Sequence, residues 1–211
     1  MIPSKSEWVD ALIARHGIEL QKRFSSATVA ICGLGGLGSN IAIALARAGI
    51  GKLFLIDYDR VDITNLHRQQ YKANQIGCYK TEALTEILQE IAPYTEIKTM
   101  TEKIAEDNLV DILKDVDIVC EAFDNAESKA MLVNGVLEQL PECCIVAASG
   151  MAGMATPNTI KTRKIMERFY LCGDEVSDVS GSIGLVAPRV MLCAAHQAQT
   201  VLRILAGEYE V

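Results

Sequence analysis

The sequence predicts an α/β fold with a Rossmann-like, doubly wound and mainly parallel sheet, because three observations agree. Strand-like and helix-like segments alternate from residue 28 to residue 149. The strand-like segments are short and apolar, as buried parallel strands are. A glycine-rich turn, GLGGLGS, joins the first strand to the first helix of this alternation. Strands that alternate with helices form a parallel sheet with helices on both faces.

The elements are assigned in chain order. Ser4 and Glu7 have capping-box spacing, which predicts one or two N-terminal helices outside the sheet. The alternating region predicts strands at 28–32, 52–57, 95–101, 117–122 and 145–149, and helices at 40–49, 81–92, 108–114 and 127–139. The last third breaks the alternation: it predicts an added edge strand at 158–165, a glycine-containing loop at 168–184, and a helix from Pro188 to about Gly207.

Length and composition bound the organisation of the chain. We expect a single domain of 211 residues with an N-terminal helical segment (1–27), a nucleotide-binding core (28–150) and a C-terminal segment (151–211). The mean hydropathy of +0.19 is high for a soluble protein, which predicts an oligomer, most simply a homodimer. The net charge of −7 opposes general binding to nucleic acid.

The sequence also predicts a cytoplasmic protein. No apolar run reaches the roughly 18 to 20 residues of a membrane span. Acidic residues at positions 7 and 10 interrupt the place of a signal peptide, and the seven cysteines lie mostly in apolar segments typical of reduced core thiols.

The glycine turn predicts a nucleotide site. Gly33, Gly35 and Gly38 satisfy the dinucleotide fingerprint, with Gly36 between them, and Asp57 ends the next strand. Backbone amides at a helix N-terminus can approach phosphates, and a carboxylate at a strand end can bind ribose hydroxyls. NAD and ATP both offer these groups, so the turn alone leaves an NAD-dependent oxidoreductase open, as well as a tight turn without a ligand.

The segment after the second strand favours ATP. It reads IDYDRVDITNLHRQ, and it places carboxylates and then a polar, basic cluster on the ligand side of the sheet. Arg68, Gln69 and Lys80 could surround a triphosphate with cationic and amide donors. Asp124, just past the fourth strand, could hold Mg²⁺. Taken one at a time, the same residues also fit solvated surface charges and a helix N-cap.

Together, GLGGLG, DYDRVDITNLHRQ, GCYKTEAL and EAFDN resemble the signature of the ubiquitin-activating-enzyme-like family, which includes ThiF, MoeB and HesA. The segments SGMAGMATPN and GLVAPRVMLCAAHQA resemble the short form of ThiF in particular. The resemblance implies ATP-dependent adenylation of the C-terminal glycine of a ubiquitin-like sulfur-carrier protein that ends in Gly-Gly. It further implies a ThiS-like carrier, pyrophosphate release, and sulfur transfer in thiamine biosynthesis.

The resemblance also implies residue roles. Asp124 would bind Mg²⁺, and Arg15 would be the arginine that a neighbouring subunit inserts into the site, with Arg23 as the alternative. In the family, a cysteine of the crossover loop can form a covalent link with the carrier, and Cys172 is the candidate here. The implied catalytic residues are Arg15, Arg68, Lys80 and Asp124. The implied nucleotide contacts are Gly33, Gly35, Gly36, Gly38, Asp57, Asp59, Asn65, Arg68, Gln69 and Lys80.

One departure from the family pattern concerns metal binding. Longer relatives bind a structural zinc through paired CxxC elements, and no CxxC occurs in this sequence, so no zinc is expected. The alternatives that stay open are the same chemistry on a molybdopterin-type carrier or on a tRNA-bound carboxylate, the NAD-dependent oxidoreductase, and a non-enzymatic scaffold. The acidic net charge disfavours tRNA.

The implied chemistry suits the composition of the chain. A C-terminal carboxylate has a pKa near 3.5 and is ionised at neutral pH, so it needs no general base before it attacks. The barrier is electrostatic, because an anion must approach a polyanionic nucleotide. Fixed cations are therefore the expected catalytic device, which agrees with a chain that has only three histidines.

Overall fold

The fold is built on one seven-stranded sheet, in a computed structural model that describes residues 2–180 and 183–211. The order across the sheet is β3-β2-β1-β4-β5-β7-β6, and all neighbours are parallel except β6 and β7. The strands are β1 (Thr28–Cys32), β2 (Lys52–Ile56), β3 (Glu96–Met100), β4 (Ile118–Glu121), β5 (Cys144–Ala148), β6 (Lys161–Met166) and β7 (Phe169–Gly173). This confirms the predicted doubly wound, mainly parallel architecture.

The central strands are the predicted apolar runs. Nearly every residue of β1, β2, β4 and β5 is buried, because these strands have helices on both faces. Strands β2 and β4 pair with β1 on opposite sides. The carboxyl end of β1 therefore lies at the topological switch point of the sheet. Ligands of open α/β sheets bind in the crevice at this point.

Seven helices cover the sheet in the described part of the chain. One face carries α2, α3, α4 and α7, and the other carries α5 and α6, which separates the core into two apolar clusters. The first helix packs at the edge of the larger cluster through Trp8. The helices are α1 (Lys5–His16), α2 (Ile18–Ser26), α3 (Gly36–Arg47), α4 (Lys80–Ile91), α5 (Leu109–Leu113), α6 (Ala126–Gln139) and α7 (Ala187–Ala206).

Helix ends follow the predicted signals. Ser4 accepts a hydrogen bond from the Glu7 amide, and the Glu7 carboxylate accepts one from the Ser4 amide, so the capping box is present. The last helix has Pro188 in its first turn and ends at Gly207 with a left-handed φ of 83°. The prediction of N-terminal helices and of the long C-terminal helix is confirmed.

The last third differs from the prediction at one strand. The predicted loop 168–184 begins with β7, which pairs in parallel with β5 and antiparallel with β6. The prediction was wrong because β6 and β7 form a hairpin with a very short connection, so a single added strand became two. The strand at 158–165 was correctly placed at the edge, as β6. Gly181 and Ser182 of the predicted loop lie outside the described residues.

The start of the first sheet-covering helix also differs. We predicted a helix from residue 40, whereas α3 begins at Gly36 and includes Gly36 and Gly38 in its first turn. Glycine disfavours helix interiors, which is why the sequence pattern delays the start. Packing of the first turn against the sheet overrides that preference. Two glycines of the turn, Gly36 and Gly38, therefore belong to the helix itself, whereas Gly33 and Gly35 precede it.

Within residues 2–180 and 183–211, no helix combines the length and the apolar character that a bilayer span requires.

Candidate functional site

The glycine turn makes the closest backbone contacts of the site. Gly33 has a left-handed φ of 92°, and a Cβ there would lie 2.7 Å from the Ala122 carbonyl oxygen at the end of β4. A Cβ on Gly38 would collide with the Gly33 carbonyl oxygen. Any side chain at either position would push the turn apart. Gly35 is the N-cap of α3 and provides no side-chain cap, so the first-turn amides face the switch point.

Asp57 holds the glycine turn in place. Its Oδ2 accepts a hydrogen bond of 2.6 Å from the Leu34 amide, and its Oδ1 accepts one of 2.7 Å from the Asp59 amide. The Lys80 ammonium lies 3.6 Å from Asp57 Oδ2 and 2.7 Å from Asp59 Oδ2. Asp57 and Lys80 are both buried, whereas the Asp59 carboxylate is half exposed. The turn, the end of β2 and the start of α4 are thus joined by one charged cluster.

Tyr71 also bonds to the glycine turn next to this cluster. Its hydroxyl donates a 2.7 Å hydrogen bond to the Leu34 carbonyl oxygen. Burial raises the pKa of Tyr71, and the charges of Asp57 and Asp59 raise it further. The phenol therefore remains a neutral donor. The sequence alone does not reveal the role of Tyr71, because nothing in its local pattern separates it from other buried aromatic residues.

The basic cluster, formed by Asn65, Arg68 and Gln69, also borders the glycine turn. Arg68 donates a 2.9 Å hydrogen bond from Nη2 to Asn65 Oδ1. Its Cγ lies 3.5 Å from the place of a Cβ on Gly36, so the arginine stem rests on the helix N-terminus. Burial lowers the pKa of Arg68, and the nearby charge of Asp124 opposes that shift. Arg68 and Asp124 therefore share one electrostatic environment.

Two buried polar atoms at this turn lack partners in the described part of the chain. They are Arg68 Nε, a donor, and Gln69 Oε1, an acceptor. The Gln69 amide nitrogen lies 3.7 Å from the place of a Cβ on Gly35, so both side chains border the glycine turn. Buried polar groups normally pair, and an unpaired one costs free energy. A donor and an acceptor left open beside a helix N-terminus are suited to a polar, anionic ligand.

Asp124 is exposed on the loop that follows β4. The alternative interpretation, that it caps α6, is excluded because Asn125 is the N-cap and accepts from the Ser128 amide. Among residues 2–180 and 183–211, no group of three or more His, Cys, Asp or Glu side chains is arranged to hold a metal. A single carboxylate is nevertheless compatible with Mg²⁺, which commonly takes one or two protein carboxylates together with substrate phosphates.

The candidate N-terminal arginines lie elsewhere. Arg15 is in the last turn of α1, and Leu12 of that turn packs against Gly49, beyond the C-terminal end of α3. This is about 18 Å of helix away from the glycine turn. Arg23 donates to the Ala206 carbonyl oxygen at 2.6 Å and thereby caps the end of α7. Within one chain, neither arginine reaches the site.

Comparison with known proteins then decides the family. The model of the ThiF family matches residues 9–211. The chain belongs to the ThiF family. A curated relative in Dictyostelium discoideum, adenylyltransferase and sulfurtransferase MOCS3, is 34% identical over 200 residues, which is 92% of this chain and 46% of the relative. Adenylyltransferase and sulfurtransferase UBA4 of Lodderomyces elongisporus is 28% identical over 91% of this chain and 43% of the relative. The chain thus spans less than half the length of these relatives.

Solved structures show the same fold. The E. coli tRNA N6-threonylcarbamoyladenosine dehydratase TcdA, in complex with ATP, superimposes with a TM-score of 0.87 at 20% identity and covers 99% of this chain and 98% of its own. E. coli MccB gives a TM-score of 0.70 at 22% identity over 90% of this chain and 59% of its own. At these identities the likeness shows the fold alone.

Cys172 is not a loop residue in this ThiF-family chain. It lies in β7, is fully buried, and contacts the Thr162 hydroxyl at 3.5 Å. Burial raises the pKa of its thiol to about 11. The sequence placed it in the crossover loop because β7 was missed. Thiolates rather than thiols are nucleophiles, so the position is poorly suited to the covalent role that the family resemblance implied.

Thiol labelling checks this placement. We expect iodoacetamide to modify the exposed Cys78 first in the native protein and to modify Cys172 only after unfolding, because Cys172 is inaccessible and mostly protonated. Mass spectrometry of the peptides after timed labelling gives both rates. In Cys78→Ser the fast phase should disappear. Modification of native Cys172 at the rate of Cys78 would contradict the buried position.

The sequence analysis missed three buried polar residues around the ThiF-family core. Glu121, at the end of β4, pairs with Lys129 at 3.0 Å and its pKa is raised, chiefly by burial. Gln197 of α7 donates to the Glu121 and Val146 carbonyl oxygens. Arg189 of α7 binds the segment that follows β5. Gln197 and Arg189 have partners far away in the sequence, and Glu121 pairs across the loop between β4 and α6, so no local spacing pattern identified them.

Proposed function

We propose that this chain uses ATP to adenylate the C-terminal glycine carboxylate of a ubiquitin-like sulfur-carrier protein. The observation that carries the proposal is the pair of unpartnered buried atoms, Arg68 Nε and Gln69 Oε1, beside the uncapped N-terminus of α3. A nucleotide phosphate and its neighbouring hydroxyls would satisfy both atoms. Membership in the ThiF family, and relatives named adenylyltransferase and sulfurtransferase, support this interpretation.

In the proposed complex, different residues of the site bind the phosphates and the ribose of the nucleotide. The amides of the first turn of α3, with Arg68, would bind the phosphates, since a helix N-terminus and a guanidinium both favour negative charge. The half-exposed Asp59 carboxylate, with Asp57 behind it, would accept hydrogen bonds from the ribose hydroxyls. Lys80 is neutralised by these carboxylates, so its first task is to orient them.

Asp124 is the residue that would hold Mg²⁺, which would neutralise charge on the nucleotide phosphates when bound. The donor chemistry fits, because Asp124 is an exposed carboxylate whose charge reaches Arg68. Asn125 is occupied as the cap of α6, which fixes the loop that presents Asp124.

The reaction needs positioning and charge rather than acid–base catalysis. A carboxylate oxygen of the carrier attacks the α-phosphorus of ATP, the bond from that phosphorus to the bridging oxygen breaks, and pyrophosphate leaves with the electron pair. The product is an acyl-adenylate. Arg68 would stabilise the charge that accumulates on the α-phosphate. No proton moves in the bond-making step, so no histidine is required.

The finer assignment is to a ThiS-like carrier ending in Gly-Gly, with sulfur transfer in thiamine biosynthesis. The segments that resemble the short form of ThiF motivate it. A homodimer in the cytoplasm is part of the same proposal, because Arg15 lies too far from its own glycine turn and would have to serve a neighbouring subunit. The net charge of −7 disfavours a tRNA substrate, although TcdA, a tRNA-modifying protein by name, has the same fold.

Pyrophosphate exchange tests the proposal. With a ThiS-type carrier, ATP and Mg²⁺, wild-type protein should exchange labelled pyrophosphate into ATP, and Asp124→Ala should lower the rate about 100-fold because charge neutralisation is lost. Glu127→Ala is the matched control, since Glu127 is an exposed carboxylate in the first turn of α6.

Three parallel samples discriminate the alternatives. A molybdopterin-type carrier and tRNA replace the ThiS-type carrier in two of them, and exchange with either one alone would reassign the substrate. In the third, NADH and ATP compete for the protein in a fluorescence titration. Preference for NADH, or wild-type exchange rates in Asp124→Ala, would contradict the proposed site.

A further inference from the structure

His67 connects the basic cluster to the start of the last helix. Its ring lies between two carbonyl oxygens: Nδ1 is 3.0 Å from the Thr64 oxygen, and Nε2 is 3.2 Å from the Leu185 oxygen. Leu185 is two residues ahead of α7, more than a hundred residues away along the chain. His67 is therefore a direct link between the segment that carries Arg68 and the last helix.

Leu185 is partly buried against the larger apolar cluster, and the helix that follows it is anchored by two further contacts. Val190, in the first turns of α7, lies 2.9 Å from the place of a Cβ on Gly36 at the glycine turn. Arg189 is buried and binds the carbonyl oxygens of Ala152 and Ala155 as well as the Asp174 carboxylate. A hydrogen bond to Leu185 thus joins His67 to the start of a helix that packs on the glycine turn.

The Nε2 atom of His67, which contacts Leu185, also faces Arg68. Arg68 Nη1 lies 3.4 Å from His67 Nε2 and 3.5 Å from the Thr64 carbonyl oxygen, and both distances are long for hydrogen bonds. A nitrogen that carries a proton donates to Leu185, and the same nitrogen without its proton would accept from Arg68 instead. The two interactions exclude each other, so the choice made by His67 decides what Arg68 can do.

We propose that His67 positions Arg68 for the nucleotide by donating from Nε2–H to the Leu185 carbonyl oxygen. In this arrangement His67 does not accept from Arg68, and Arg68 is held by Asn65 through Nη2, with only the long 3.5 Å contact from Nη1 to Thr64 besides. The buried, unpartnered Nε and the weakly held Nη1 are then left for the nucleotide. The inference rests on the proposed nucleotide site and adds a positioning residue to it.

Two conservative substitutions separate the ring nitrogens. In His67→Gln the side-chain amide can take the place of Nε2–H and still donate to Leu185, whereas in His67→Asn it can take only the place of Nδ1–H and reaches Thr64. A residue that merely filled space would respond alike to both. We therefore expect His67→Gln to retain function and His67→Asn to lose it.

The measurement is calorimetric titration with two probes, ATP with Mg²⁺ and adenosine. His67→Asn should weaken ATP binding about tenfold, the range of a charge-assisted hydrogen bond, and His67→Gln should stay within about threefold of wild type. Adenosine has no phosphate, so its affinity should change by less than about twofold in both variants. In an Arg68→Met background, His67→Asn should cause no further loss of ATP affinity.

The results separate failure of the role of His67 from failure of the proposed nucleotide site. If wild-type protein does not bind ATP, the nucleotide site itself is refuted. If wild type binds ATP and His67→Asn binds it equally well, only the role of His67 is refuted. Equal losses in both His67 variants, a parallel loss of adenosine affinity, or an additive loss in the Arg68→Met background would each also overturn it.

Discussion

Replacing Arg189 by methionine is expected to lower the free energy of unfolding by about 3–5 kcal/mol, because it would leave a buried charge unpaired. Arg189 is 5% exposed. Its guanidinium pairs with the Asp174 carboxylate and donates to four oxygens of the segment after β5, which belong to Ala152, Ala155, Thr156 and Thr159. Methionine fills similar volume but provides no donor, so the four oxygens would lose their donor. The Asp174 carboxylate would lose its counter-ion and keep only the donors of Val176 and Ser177.

Urea denaturation followed by circular dichroism gives the change for Arg189→Met. Arg203→Met is the matched control on the same helix, since Arg203 is partly exposed and pairs with Glu208 at 2.7 Å. Its cost should be about 1 kcal/mol or less. Adding Asp174→Asn to Arg189→Met should recover part of the loss, because the unpaired carboxylate is then removed. Equal costs for Arg189→Met and Arg203→Met would show that the buried cluster contributes no more than a surface pair.

Replacing Arg68 by methionine should lower the rate of ATP–pyrophosphate exchange by about 1,000-fold or more, as removal of an arginine from a phosphoryl-transfer site does. The structural reason is that Arg68 brings a buried, unpartnered Nε to the glycine turn, with its stem packed on Gly36. Methionine can keep the packing of the stem while the charge is lost. The expected signature is a fall in the turnover rate with the fold retained.

Arg60→Met is the control for Arg68→Met. Arg60 belongs to the same segment, but its guanidinium stacks 3.7 Å above the Tyr79 ring and donates to the Gly77 carbonyl oxygen, away from the glycine turn. Its removal should change the exchange rate by less than about threefold. Exchange assays with the same carrier, combined with thermal unfolding of each variant, provide the comparison. A similar loss in both variants would indicate a general effect of charge instead of a specific contact.

The sequence predicted the part of the site that depends on local spacing. The glycine turn, the strand before it and Asp57 belong to one contiguous unit, in which backbone geometry dictates glycine at Gly33 and Gly38. The proximity of Arg68, Gln69 and Asp124 to this turn followed from the rule that ligands gather at the carboxyl ends of parallel strands. These predictions needed no knowledge of tertiary contacts.

The remaining features of the site depend on tertiary contacts, which the sequence pattern does not show. Lys80 was expected beside phosphates, but it lies between two carboxylates, which only the closure of the segment before α4 determines. The burial of Cys172 depends on the hairpin of β6 and β7, whose second strand is five residues long and lacks a separate turn signal. His67 and Arg189 have acceptors on segments remote in the chain, so their roles were invisible in the pattern.

The charged cluster of Asp57, Asp59 and Lys80 also fixes the path of the segment that follows β2. Residues 58–79 leave the sheet after β2 and return at α4, and this ion cluster closes the excursion at its base together with the bridge between Arg60 and Tyr79. Two apolar side chains of this segment remain in solvent, with Ile63 68% exposed and Ile76 46% exposed. The ion cluster thus fixes the path of the segment, whereas these two isoleucines add little to the packing of the core.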